Sequence, residues 1–124
     1  MDTTMQSKYN NRKVRCWGET FDSMLECERY KYLKALEQQK VISNLRRQVK
    51  YVLLPSQKDS KTRKTIEREI TYLADFVYEK GSQTIVEDVK GMKTDVYKIK
   101  RKLMLYFHGI QIKEVTKETK TWAV

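Results

Sequence analysis

Tyr72-Leu73-Ala74-Asp75-Phe76-Val77-Tyr78 and, past a short turn, Thr84-Ile85-Val86-Glu87-Asp88-Val89-Lys90-Gly91 are the two runs on which the reading of the fold turns. Lys80, Gly81 and Ser82 stand between them, so a β-hairpin with a glycine-containing loop is expected. Both runs are apolar on both alternating faces and rich in Val, Ile, Tyr and Phe, as in strands at the middle of a covered sheet. Each nevertheless carries an acid where a core residue belongs: Asp75 between Ala74 and Phe76, and Asp88 between Glu87 and Val89. Lys90 follows Asp88 by two positions and therefore shares its strand face. Charges in a covered sheet are normally paired or bound to metal. A salt-bridged sheet edge and a metal-dependent site both meet that condition.

The chain has 124 residues, 40% of them apolar, enough for one domain with a proper core. Its 26 Lys and Arg outnumber 16 Asp and Glu, and the net charge of +10 points to a polyanion, nucleic acid first and an anionic membrane second. No apolar run approaches the roughly 20 residues of a membrane span. The segment Met1–Ser7 lacks the apolar core of a signal peptide, so a cytoplasmic location without membrane association is expected. Cys16 and Cys27 form neither a Cys-x-x-Cys nor a Cys/His cluster. A zinc site is not expected, and separate thiols in a reducing cytoplasm fit.

Upstream of the hairpin, residues 1–11 read as a loose, polar and basic arm. Lys13 to Phe21 forms a small hairpin turning at Trp17-Gly18; Lys8, Arg12, Lys13 and Arg15 are either phosphate contacts or solvated charge. A helix follows Ser23 and runs to about Gln39, with Leu25, Tyr32, Leu33 and Leu36 as its apolar stripe. Ser23 and Glu26 have capping-box spacing, which by itself accounts for Glu26; the alternative is that Glu26 reaches toward the acids of the sheet. Val41 to Leu45 closes that helix and leads into a strand from about Arg47 to Leu54, ended by Pro55. Residues 56–65 form a polar loop with Lys58, Lys61, Arg63 and Lys64, either a finger on nucleic acid or a solvated connection. Ile66 to Tyr78 is one long strand and Gln83 to Lys90 its partner.

Beyond Gly91, a second helix spans about Asp95 to His108, with Thr94 as N-cap and Gly109 just past its end. Val96, Ile99, Leu103 and Tyr106 are expected as its core stripe, and Lys98, Arg101 and Lys102 form a basic face that either tracks phosphates or keeps the helix soluble. His108 reads as a helix-terminal histidine with no assigned role. Ile110 to Val115 is a last strand, and residues 116–124 are a polar tail in which Trp122 has no explanation. The expected fold is α/β: a mixed sheet of about four strands flanked by two helices, in the order αβββαβ, behind an N-terminal hairpin.

An acid on the first helix, Asp75 on the second core strand and Asp88-Val89-Lys90 on the third, followed by a helix and a strand, resembles the PD-(D/E)XK nuclease superfamily. Three blocks resemble one branch more closely, a family of small phage-encoded proteins long catalogued as a domain of unknown function. They are Phe21-Asp22-Ser23-x-x-Glu26-x-x-Arg29-Tyr30, Tyr72-x-Ala74-Asp75-Phe76 and Val86-Glu87-Asp88-Val89-Lys90-Gly91. The likeness covers roughly residues 8–115; Ala74 replaces the proline that often precedes the first aspartate. It implies a restriction-endonuclease-like core in one nuclease domain, residues 12–115. Asp75, Asp88 and Glu26 would be metal ligands and, with Lys90, the catalytic set. Gln48 falls at a position often polar near such sites.

The implied activity is Mg²⁺-dependent hydrolysis of DNA phosphodiesters, with Mn²⁺ able to substitute and no small-molecule cofactor. Mg²⁺ takes hard oxygen ligands and keeps several waters, so two or three carboxylates suffice. Lys90 is suited to orienting the attacking water or stabilising the transition state. By analogy of fold and size, the implied role is structure-selective cleavage, as by a Holliday-junction resolvase in phage replication or recombination, by a homodimer in the host cytoplasm. The alternative is a non-catalytic nucleic-acid-binding protein that retains the fold. Lys13, Arg15, Lys61, Arg63, Lys64, Lys98, Arg101 and Lys102 are the candidate DNA contacts.

Overall fold

The computed structural model describes residues 13–119. The basic arm of residues 1–11 with its Lys8, Arg12, and the end of the tail with Trp122 lie outside the described residues. The chain opens with a hairpin of β1 (Val14–Cys16) and β2 (Glu19–Phe21). Trp17 and Gly18 both have positive φ, 53° and 79°, the backbone of a two-residue turn whose twist matches its strands. Helix α1 (Met24–Gln38) starts where the capping pattern places it: Ser23 is extended and its side chain accepts from the Glu26 amide.

Four strands make the central sheet, β3 (Ser43–Leu54), β6 (Ile70–Lys80), β7 (Gln83–Val89) and β8 (Lys113–Val115), in the order β3-β6-β7-β8. β3, β6 and β7 pair antiparallel, and β8 joins β7 in parallel after helix α2 (Asp95–His108). The β6–β7 hairpin closes from Lys80 to Gln83 through Gly81 at φ 62°. This is the mixed α/β architecture that the order of elements predicts.

Several local expectations are corrected. Val41 to Leu45 does not close α1, which ends at Gln38; Lys40 turns the chain at φ 64° and β3 begins at Ser43. Ile66 to Tyr78 is not one strand. Residues 56–67 fold into a separate hairpin of β4 (Gln57–Lys58) and β5 (Thr65–Glu67), with Asp59 accepting the Lys61 and Thr62 amides at 2.8 Å in its turn. The last strand is shorter than expected and begins at Lys113. Cys16 and Cys27 are not separate thiols but a disulfide, Cα–Cα 6.1 Å, because the β1–β2 hairpin folds back over the first turns of α1.

Both faces of the sheet are covered, as the doubly apolar runs require. One core gathers Phe21, Tyr30, Leu33, Ile42, Phe76 and Tyr78 beneath α1, the other Leu53, Tyr72, Ala74, Val77, Val86, Tyr97 and Met104 beneath α2. The helix stripes differ from those expected. α1 buries Glu26, Cys27, Arg29, Tyr30 and Leu33. α2 buries Tyr97 and Met104, while Val96, Ile99 and Tyr106 are 62, 57 and 80% exposed. In each helix the inward face includes polar groups with partners, so it is not the most hydrophobic face.

The deepest of those groups are Arg29 and Glu87, neither with any exposed side chain. Arg29 donates through Nε to Glu87 Oε1 at 2.8 Å and through Nη2 to Oε2 at 2.5 Å, and the Tyr78 hydroxyl donates to Oε2 as well. Truncating one member strands the other charge. Arg29→Met should lose about 3–5 kcal/mol of stability, and the Arg29→Met/Glu87→Leu double variant should recover most of it. Urea denaturation checks this; equal stability of parent and single variant would show that the pair is not what clamps α1 to the sheet.

Candidate active site

At the end of the β6–β7 ladder the last paired residues are Phe76 and Glu87. Continuing that register by one step sets Asp75 against Asp88, and the two carboxyl groups interact. Both line a cleft of about 950 Å³ together with Glu26, Gln48, Tyr72 and Lys90. The expected catalytic set therefore meets in one place: Glu26 from α1, Asp75 from β6, Asp88 from β7, and Lys90 just past it.

The contacts within the set are specific. Gln48 Nε2 sits between two carboxylates, 3.2 Å from Glu26 Oε2 and 3.4 Å from Asp75 Oδ1. Asp75 Oδ2 accepts the Val89 amide at 2.8 Å. Lys90 Nζ lies 2.7 Å from Asp88 Oδ2 and 3.9 Å from the centre of the Tyr97 ring. Asp88 is almost wholly buried, so Lys90 is the charge that partners it. Lys90 is tethered through its backbone amide, which donates to Val115 O at 2.9 Å.

Glu26 makes one half of the capping box, its amide donating to Ser23 Oγ at 3.1 Å, and its carboxylate reaches toward the sheet. Its Oε1 accepts the Asp22 amide at 3.2 Å, one residue before the one a capping box would use, while Oε2 turns to Gln48. Arg47 Nη2 stands 3.6 Å from the same Oε2, and its guanidinium lies 3.8 Å over the Phe21 ring. Burial pushes the Glu26 carboxyl upward. Burial first, then the neighbouring charges of Asp88 and Glu26, lift Asp75 to about 8.

The donors present are carboxylates and an amide, the hard oxygens that suit Mg²⁺ or Mn²⁺. Among the described residues no group of three or more His, Cys, Asp or Glu side chains is drawn together tightly enough to hold an ion by itself. One or two carboxylates plus water are what Mg²⁺ ordinarily takes. Asp75 and Asp88 fit that demand: two carboxyl groups held side by side in one cleft, close enough that the Asp88 charge raises the Asp75 pKa.

Tyr72 and Lys100 are unassigned in the sequence, and Gln48 stands there only as a position often polar near such sites. Gln48 carries φ 54° inside β3, a left-handed conformation that costs a non-glycine residue about 1–3 kcal/mol and clusters at functional sites. Tyr72, 4% exposed, lines the cleft beside Asp88, and burial first, then the Asp88 carboxylate, raise its pKa. Lys100 lines the cleft from α2. A tyrosine and a lysine at core-strand and helix positions carry no sequence signal for this.

None of the eight basic residues expected to contact DNA lines the cleft. Lys13 pairs with Asp22, and Arg15 bonds Gly18 O and Thr20 within its own hairpin. Arg101 donates to Glu114 Oε2 at 2.8 Å, so the α2 basic face is partly spent on an internal pair. Lys61, Arg63 and Lys64 are exposed on the β4–β5 turn, and Lys98 and Lys102 are exposed on α2. His108 anchors the end of α2: its Nε2 lies 2.8 Å from Val52 O and its ring 5.5 Å from that of Tyr51.

The model of the protein family described as "Protein of unknown function (DUF1064)" matches residues 6–122. No curated protein and no solved structure matches significantly.

The raised Asp75 pKa has a definite sign. The folded state holds a proton that the unfolded chain releases near pH 4, so stability falls as pH rises from about 4 to 8 and the loss is complete above that range. Asp75→Asn removes the titrating group at nearly equal volume. Its melting temperature should exceed that of the parent at pH 8, with the gap closing toward pH 4. Parallel pH profiles for the two proteins would show that Asp75 is not strained by its neighbours.

Proposed function

We propose that this chain, which belongs to the DUF1064 family, is a metal-dependent endonuclease of the PD-(D/E)XK type that hydrolyses DNA phosphodiesters. The observation that carries the reading is the meeting of Glu26, Asp75, Asp88 and Lys90 in one cleft, bridged by Gln48. Pure binding of a polyanion does not call for clustered carboxylates, which repel phosphate. A structural salt bridge for Lys90 needs only Asp88, and the gathering of Asp75 and Glu26 in the same cleft goes beyond it.

In this reading Asp75 and Asp88 hold the ion. Bound there, Mg²⁺ neutralises charge on the phosphoryl oxygens and lowers the pKa of its water. Lys90, kept beside Asp88 by the Tyr97 ring and the Val115 carbonyl, supplies a cation at the reacting phosphate. Glu26 and Gln48 orient the attacking water from the α1 side. The net charge of +10 and the exposed lysines of the β4–β5 turn and α2 gather DNA around the cleft. Selectivity for branched DNA is part of the proposal, resting on analogy with the fold that the resemblance implies.

A panel of duplex, single strand, flap and four-way junction with Mg²⁺, Mn²⁺ and Ca²⁺ tests this directly. Asp75→Ala, Asp88→Asn and Lys90→Ala should each lose cleavage by about 3–4 kcal/mol or more of transition-state stabilisation, with DNA affinity retained. Glu26→Gln, which preserves an acceptor for the Asp22 amide, should lose activity while its melting temperature barely moves. Mg²⁺ should raise the melting temperature of the parent but not of Asp88→Asn. Equal metal-dependent cleavage by parent and Asp75→Ala would assign the activity to a contaminant.

A further inference from the structure

Helix α2 leaves an apolar stripe bare. Val96, Ile99 and Tyr106 recur at helical spacing with Phe107 beside them, while Leu103 of the same row is partly buried against the core. Val96 and Ile99 are 62 and 57% exposed, Tyr106 and Phe107 80 and 50%, and the Tyr106 and Phe107 rings meet edge to face at 4.9 Å. The opposite side of the helix is spent on the core through Tyr97 and Met104. The position of the stripe is distinctive. It begins at the mouth of the cleft, which Val96 and Lys100 both line, and it ends about 15 Å along the helix axis at Tyr106.

Charge decides what fits on it. By helical spacing Lys100 borders the stripe on one side and Lys102 on the other, with Lys98 beyond, and Asp95 in the first turn is the only acid of the helix. Two copies of this face packed together would bring those lysines into opposition, a costly arrangement. A nucleic-acid strand matches both features, because phosphates neutralise the flanking lysines while aromatic rings take bases. Paired bases show a protein only their edges in the grooves. Rings that project from a helix and have open faces instead suit bases released from the duplex stack.

We propose that the α2 stripe ending at Tyr106 and Phe107 is a stacking surface for unpaired nucleobases of the DNA strand that runs into the cleft. This deepens, and rests on, the reading of the cleft as a nuclease site. Its consequence is a preference for DNA with unpaired bases within about four stacked nucleotides of the scissile phosphate, taking ~3.4 Å for each.

The test is binding, kept apart from hydrolysis. Fluorescence anisotropy in EDTA at fixed salt compares a single strand, a four-way junction with an unpaired crossover and a blunt duplex. The proteins are the parent, Tyr106→Ala/Phe107→Ala and the aromatic-preserving Tyr106→Phe. The double variant should lose roughly tenfold or more on the single strand and junction but less than about twofold on duplex, and Tyr106→Phe should behave as the parent. Equal losses on all three DNAs, or none, would overturn the proposal. So would a change of oligomeric state in sedimentation with the DNA preference intact, which would assign the face to a second copy. Failure of the parent to bind any DNA would overturn the stacking surface and the nuclease reading together. A ring-dependent preference for unpaired bases without metal-dependent cleavage would remove the nuclease reading alone.

Discussion

A guanidinium and a carboxylate with no access to water, Arg29 on α1 and Glu87 on β7, hold the molecule in register. Burying two charges is tolerated only when the geometry is good and the remaining polar atoms are satisfied, and here Tyr78 completes the carboxylate. Arg29 lies one helical turn beyond Glu26, and Glu87 immediately precedes Asp88. The clamp that seats α1 on the sheet therefore also sets where the two outlying site carboxylates stand. A shift of the helix by one residue would move Glu26 away from Gln48 and leave Arg29 facing apolar core.

The site is built against its own electrostatics. Asp75 and Asp88 sit opposite each other at the end of an antiparallel ladder, and Glu26 approaches from the helix. The surroundings answer this piecemeal, with the Val89 amide on Asp75, Lys90 on Asp88, Arg47 near Glu26, and the Gln48 amide shared by two of the three. Gln48 accepts an unfavourable backbone conformation to do so. Destabilisation is thus concentrated in one cleft, with stabilising contacts arranged around it, which is the ground for the proposed catalytic role.

Surface charge and site charge are separate systems. The eight basic residues singled out for DNA lie outside the cleft, and several are engaged in local pairs such as Lys13 with Asp22 and Arg101 with Glu114. Long-range attraction depends on the summed field and needs no particular lysine. The cations at the cleft are fewer and differently held, Lys90 by a ring and a carboxylate, and Lys100 at the rim.

Much of this was legible in the linear chain. The β6–β7 hairpin, the N-caps of both helices, the two covered faces and the shared side of Asp88 and Lys90 follow from period, turn chemistry and spacing, all local rules, whereas the gathering of Glu26 with Asp75 and Asp88 is implied by the family resemblance alone. What the sequence misplaced has one physical cause. Hydropathy identifies the most apolar face of a helix, but burial is decided by what lies opposite. Tyr97 turns inward, where Glu114 on β8 accepts its hydroxyl, and Val96, Ile99 and Tyr106 are left outside. Arg29 and Glu87 are separated by 58 residues, Gln48 and Asp75 by 27, and Cys16 finds Cys27 only because a hairpin folds back. Pairings of that range, and the strained φ of Gln48 that serves one of them, exist only once the tertiary fold has brought the partners together.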